Sequence, residues 1–328
     1  MNSLRKRSWW RMLKWLTLPL FAGILWYQVS RLHGRPDLAE RMSILFGGEG
    51  ALMTSALLLI LTLLNYALES KKWQLLVRPV SPVSFGGAMK DVCTGILFSI
   101  LTPARLGEPG GRIIHIDGPG RLAGIAAVLI GSAGQNIVIF ALGSMGGVIY
   151  LHAFSDAGGT LLTSLSVLCG AIVVIALTLY LNIEKFIPLA RKIPWPRRWK
   201  PYLIRFRALK DYSMWDLLQV EAISLIRVLV WTAQYLLILS LLHPDFDWLM
   251  GIPVAWTVFL LQTGLPLPPV SGLVARSSIA IVMWKSLGVD EWNALASSFV
   301  IYFYNLVIPS VLGLFVLLFN RKSLNENV

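Results

Sequence analysis

The chain has 328 residues, of which 56% are hydrophobic and 14% charged, and its mean hydropathy is +0.67. That balance excludes an ordinary soluble enzyme and points to a polytopic membrane protein, because each bilayer crossing needs about 20 mostly apolar residues. The 29 Lys and Arg exceed the 17 Asp and Glu by 12, an excess that fits cytoplasmic loops facing anionic lipid better than nucleic-acid binding.

In chain order, a first span is predicted from Leu16 to Val29, behind Arg5, Lys6, Arg7, Arg11 and Lys14. Ser30-Arg31-Leu32-His33 offers no small-residue cleavage site, so the segment reads as a retained span with a cytoplasmic N-terminus. The second span runs from Ala51 to Leu68 and exits at Glu69-Ser70-Lys71-Lys72-Trp73 on the cytoplasmic side. Next comes an apolar limb, Ser84 to Leu101, followed by Thr102-Pro103-Ala104-Arg105-Leu106-Gly107-Glu108-Pro109-Gly110-Gly111-Arg112. A full crossing here would put the segment from Asn182 to Asp216, with nine Lys and Arg, outside the cell, against the positive-inside rule. A re-entrant hairpin over 84–121, turning at Pro103, keeps that segment in the cytoplasm. The loops Gly143 to Thr160 and His243 to Gly251 then lie outside.

Spans follow from Ala123 to Leu142, Leu161 to Leu181 and Leu217 to Leu242. The basic segment over 182–216 is broken by Pro188, Pro194, Pro196 and Pro201, and Trp195 and Trp199 among its arginines suit either a membrane-surface contact or a solvated loop. Ile252 to Leu265 and Leu273 to Leu287 are 14 and 15 residues long, too short to cross comfortably. Pro266-Leu267-Pro268-Pro269-Val270-Ser271-Gly272 between them cannot be continuous helix. A second hairpin over 252–287, opposed to the first, fits the lengths. The last span, Trp292 to Phe319 with a kink at Pro309, ends inside at Arg321 and Lys322. The fold class is therefore an all-α polytopic membrane protein, 1–328 forming a single transmembrane domain. It has six full spans plus two opposed re-entrant hairpins, an inverted-repeat-like plan with its substrate site at the centre. Ordinary spans kinked at Pro and Gly are the alternative.

Ionisable groups at membrane depth are expensive, so each is a functional candidate. Arg105, Glu108 and Arg112 follow the first hairpin's turn, where Thr102 can cap a helix starting at Pro103 and Glu108 precedes Pro109 in the same way. Two arginines beside helix N-termini suit a phosphate or carboxylate; an Arg-Glu pair that staples the hairpin is the plainer alternative. In the second hairpin, Ser271 can cap the helix that carries Arg276. Arg227 lies deeper in its span than Glu221, whose place near the cytoplasmic end suits a solvated carboxylate, and either Glu221 or Glu108 could pair with Arg227. Gln135 and Asn136 sit mid-span, where amides bridge helices or line a cavity. Asp91 beside Lys90 reads as a solvated pair.

Signatures of soluble enzymes are missing: no H-E-x-x-H, no G-x-x-x-x-G-K-[ST] and no G-x-S-x-G. His33, His115, His152 and His243 show no metal-ligand spacing, and Cys93 and Cys169 lie in apolar stretches with no disulfide framework. No cofactor, metal or catalytic residue is expected.

At these motifs the sequence resembles the flippase-like family related to the transmembrane region of lysylphosphatidylglycerol synthases, from Trp73 to Phe319. Trp73 after the second span, a P-x-R-x-G-E motif at Pro103, Arg105, Gly107 and Glu108, the following Arg112, and Pro269, Gly272, Arg276 and Pro309 carry the likeness. Ser277 stands where the family tends to have an acidic residue, and Gly131 and Ser132 where it often has a Glu-Arg pair. The resemblance implies translocation between leaflets of an anionic phospholipid or polyprenyl-phosphate-linked lipid in a bacterial cytoplasmic (inner) membrane, with both termini cytoplasmic. Arg105, Arg112 and Arg276 would bind the phosphate, with Glu108 positioning an arginine or exchanging a proton. Lipid aminoacylation is not expected, the synthases' soluble domain having no counterpart here. A rival reading is a non-transporting scaffold or accessory subunit for a lipid or glycan synthase; a third is an intramembrane enzyme with Glu108, Asp91 and His115 as its available groups.

Overall fold

The computed structural model describes residues 47, 50–102, 105–116, 118, 120–185, 212–243, 245–263 and 269–319, with backbone alone over 269–274. The expected first span, the turn residues Pro103 and Ala104, most of the basic segment and the C-terminal residues lie outside the described residues. Regular structure among the described residues is entirely helical. It comprises α1 (Ala51–Val77), α2 (Phe85–Ile100), α3 (Gly107–Arg112), α4 (Gly120–Phe154), α5 (Gly159–Leu181), α6 (Met214–Leu242), α7 (Trp248–Thr263), α8 (Pro269–Lys285), α9 (Glu291–Tyr302) and α10 (Ile308–Phe319).

Five of these are long and apolar enough to cross a bilayer: α1, α4, α5, α6 and the continuous run Glu291–Phe319 that joins α9 to α10. They correspond to the second to sixth predicted spans. Local chemistry fixes several starts. Ser84 Oγ accepts from the Gly87 N–H at 3.2 Å and opens α2. Ser213 and Asp216 form a reciprocal capping box at α6. Asp290 accepts from the Trp292 N–H at 3.1 Å to cap α9.

Both ends of the bundle can be traced by contacts. At one end Arg78, just after α1, pairs with Asp216 at the start of α6 at 3.0 Å, and Gly120 at the start of α4 approaches Val80. At the other, Asn293 of α9 donates to the Leu242 carbonyl at the close of α6 at 3.0 Å. Phe246 packs against Trp284 of α8 with tilted rings whose centroids are 5.8 Å apart. The short pair α2 and α3 therefore opens at the first end and the pair α7 and α8 at the second. α5 is peripheral, its apolar surface turned away from the rest of the chain.

Glycine sets the closest helix approaches, as small residues do between membrane helices. A Cβ on Gly111 of α3 would stand 2.6 Å from the Thr94 carbonyl oxygen and 2.7 Å from the Gly95 Cα of α2. Both obstacles are backbone, which cannot step aside. Gly111→Val is expected to destabilise the protein by about 1–3 kcal/mol through overpacking, and more where the pair is forced apart. A thermal melt in detergent, compared with the open position Gly110→Val, measures it.

The sequence placed three boundaries wrongly. α1 does not end near Leu68 but continues as helix to Val77, and Glu69, Ser70, Lys72 and Trp73 are all buried within the protein. α4 runs on to Phe154, so the expected outer loop starting at Gly143 is helix for most of its length. α8 begins at Pro269, which leaves Ser271 inside the helix rather than capping it.

The kink expected at Pro309 has a specific form. Pro309 has no N–H to give, which frees a carbonyl one turn back, and the helix widens into a π segment over Phe303–Val307. The Asn305 carbonyl is taken by the Tyr66 hydroxyl of α1. That contact ties the irregular turn to the polar face of α1.

Candidate functional site

α1 carries the floor of the site. Thr54, Leu58, Thr62, Asn65, Glu69, Lys72, Trp73 and Leu76 recur at helical spacing and are all buried, so one stripe of this membrane-length helix is largely polar. Glu69 is its hub. One carboxylate oxygen accepts from Arg112 of α3 at 2.6 Å, and the other faces Lys72 at 2.9 Å and Arg227 of α6. Arg112 reaches Glu69 across Gly95, where a Cβ would sit 2.6 Å from the Arg112 Cγ. The glycine is the gap through which the guanidinium passes.

A second carboxylate stands beside the first. Glu108 accepts from Arg112 at 2.6 Å and from Arg105 at 3.0 Å. Arg112 is enclosed, whereas the Arg105 side chain is 49% exposed and marks the open edge. Arg105 also has φ 58°, in the left-handed region, which an arginine adopts only where surrounding structure compels it. The helix start expected at Pro103 lies outside the described residues; the described helix starts at Gly107 after Leu106, with no side-chain cap, and the Gly107 N–H donates to Thr102 Oγ1 at 2.7 Å. Glu108 is thus in its first turn.

Beyond the carboxylates lies a shell of amides. Arg227 donates to Asn65 at 2.9 Å and to Gln135 at 2.7 Å, and Lys72 reaches the same Gln135 oxygen at 3.3 Å. Asn65 donates to Asn305 at 2.9 Å, which donates to Gln234 at 2.8 Å, and Gln234 to Thr62 at 2.9 Å. The guanidiniums of Arg112 and Arg227 also lie over Trp73 and Trp231, at 5.8 Å and 4.9 Å from the ring centroids.

The structure therefore brings Arg105, Glu108, Arg112, Arg227 and Gln135 into one network. Arg276, on α8, is partly buried and feels the like charge of Arg105 and the nearby Tyr302; among the described residues it has no ion pair. Asn136 does not join. It is exposed on the opposite face of α4, while Gln135 turns inward. Arg227 pairs with Glu69, not with Glu108 or Glu221. Glu221 is buried rather than solvated. Asp91 is buried too, accepting from the Trp73 indole at 3.1 Å and facing His115 at 3.9 Å, so it is not a surface partner of Lys90. Sequence reading missed Glu69 and Lys72 as site residues because they fell at a supposed exit. The polar stripe at three- and four-residue spacing was the signal that would have found them.

Four cations, Lys72, Arg105, Arg112 and Arg227, meet two carboxylates, Glu69 and Glu108, in direct ion pairs, an excess of two positive charges among the paired groups, with the buried Asp91 farther off beyond Trp73. Arg276 raises it to three. A cationic excess among apolar helices calls for an anion.

The family model for the lysylphosphatidylglycerol synthase transmembrane region matches residues 13–313. The chain belongs to this family. No curated protein matches it. As a member of the family the chain is a multi-pass membrane protein, in keeping with its five bilayer-length helices. The arginine cluster falls within the matched stretch, as do the two short helix pairs.

Proposed function

We propose that the protein moves a lipid with an anionic headgroup, an anionic phospholipid or a polyprenyl-phosphate-linked lipid, between the leaflets of a bacterial cytoplasmic membrane. The observation that carries this reading is the uncompensated positive charge at the meeting point of α1, α3, α4 and α6. The inner arginines already have protein partners. Arg112 is shared by Glu69 and Glu108, and Arg227 by Glu69, Asn65 and Gln135. They shape the site. The headgroup falls to Arg105 at the open edge and to Arg276, which lies within the field of Arg105, so an anion bound near both would relieve the repulsion between like charges. Guanidinium suits that task because its planar fork matches phosphate oxygens in pairs.

In this reading α2 with α3, and α7 with α8, are re-entrant hairpins entering from opposite leaflets, with their tips at the turns that join the two helices of each pair. Alternating access then needs only one hairpin to part from the bundle at a time. Both termini lie in the cytoplasm, and the protein performs no covalent chemistry on the lipid. A structure in lipid discs containing phosphatidylglycerol tests the site. Headgroup density is expected within hydrogen-bond reach of both Arg105 and Arg276. Guanidiniums closed onto carboxylates, with no headgroup between them, would count against it.

A further inference from the structure

A third carboxylate lies next to the cluster, and the binding role leaves it unused. Glu221 of α6 is 9% exposed, and its Oε1 is buried with no hydrogen-bond partner among the described residues. It lies against Gly134 of α4, where a Cβ would stand 2.9 Å from that oxygen and 2.8 Å from the Tyr180 hydroxyl of α5. Tyr180 gives its proton elsewhere, to the Ile130 carbonyl at 3.3 Å. Glu108 stands in contrast, with two guanidiniums on it. A buried carboxyl group without donors is stable as the neutral acid and costly as the anion.

The groups around Glu221 are few. From α1 it faces Lys72, the charged side chain that acts on it. From α4 it meets Gly134, next to the uncharged Gln135, and from α5 Tyr180, which in turn interacts with Tyr212 ahead of α6. α7 has no ionisable residue. α9 and the following π segment carry Glu291, Tyr302 and Tyr304. Among the described residues Lys72 is the charged side chain that links Glu221 to the cluster. It is held by Glu69 at 2.9 Å and by Gln135 at 3.3 Å, within the field of Glu221.

We propose that Glu221 is a proton-binding site coupled through Lys72 to the anion site, so that a proton and an anionic headgroup bind together. This rests on the anionic-headgroup reading above. The step is formation of one O–H bond on Glu221 with a proton taken from water. With Glu221 ionised, Lys72 is drawn from Glu69 and the cluster's excess falls from two positive charges to one. With Glu221 protonated the full excess faces the headgroup. Linkage is reciprocal, so a bound anion also favours the proton, and an inward proton gradient can drive the lipid.

The test uses the purified full chain in detergent and short-chain phosphatidylglycerol, whose phosphodiester keeps one negative charge throughout. Wild type is expected to bind about tenfold tighter near pH 5.5 than near pH 8, a coupling within the usual range. Glu221→Gln should bind at both values with the tighter affinity. A wild-type affinity that does not change with pH overturns the proposal. So does a wild-type slope retained in Glu221→Gln. Should the variant fold poorly, proton uptake by wild type on adding lipid, measured in weak buffer, decides: uptake supports the coupling and its absence removes it. Wild type that binds no anionic lipid at either pH removes the headgroup reading itself, a result distinct from pH-independent binding.

Discussion

Glu69→Gln is expected to destabilise the protein by about 3–5 kcal/mol, the cost of leaving buried charges without their partner. Three cations depend on this carboxylate: Arg112 at 2.6 Å, Lys72 at 2.9 Å, and Arg227. Glutamine keeps the size and one acceptor oxygen but removes the charge, so the excess in the cluster rises from two to three with nothing added to meet it. The loss should appear as a lower melting temperature in detergent and reduced membrane yield. Combining it with Arg227→Gln should recover part of the loss, since that removes one stranded cation along with the carboxylate. An undisturbed melting temperature in the single variant would mean that Glu69 is not the hub of the cluster.

Arg105→Gln and Arg276→Gln are expected to behave in the opposite way, with folding retained and lipid movement lost. Among the described residues Arg105, half exposed, is paired with Glu108, which keeps Arg112, and Arg276 has no ion pair, so neither substitution strands a buried charge there. Each would remove the charge-assisted hydrogen bonds to the proposed headgroup, worth about 1.5–3 kcal/mol, or roughly ten- to hundredfold in affinity. Lysine at either position should restore part of the activity, because a point charge cannot supply the paired geometry of guanidinium. Leaflet exchange by reconstituted protein measures it, with melting temperature as the control.

Much of this arrangement was legible in the sequence. Apolar length located the five described spans, because the bilayer imposes that length on the chain. Charge inside apolar sequence pointed to Arg105, Glu108, Arg112, Arg227 and Arg276. What sequence reading lacked was the direction in which side chains face. Glu69 and Lys72 share the stripe of Thr62 and Asn65 on α1, yet their charge suggested a helix end, and only packing against α3 and α6 shows that the helix continues with both buried. Gln135 and Asn136 are neighbours about 100° apart on a helix, so which of them faces the bundle depends on where the buried stripe ends. Gly131, Gly134 and Val138 mark the buried face with Gln135, and Leu129, Ser132 and Ala133 the exposed face with Asn136. Pro309 announced a kink, but its form depends on Tyr66, 239 residues away from Asn305 in sequence. No local pattern carries that information.

The proposed activity is that this chain alone carries an anionic lipid across the membrane at its arginine cluster. The most direct measurement is leaflet exchange in vesicles holding the purified protein, under an imposed pH gradient, with labelled phosphatidylglycerol and labelled phosphatidylcholine compared in parallel. Protein-dependent exchange of the anionic lipid is expected, with little movement of the zwitterionic one and loss of the difference in the Arg105→Gln, Arg276→Gln double variant. Equal exchange of both lipids, or exchange unchanged in the double variant, would contradict it.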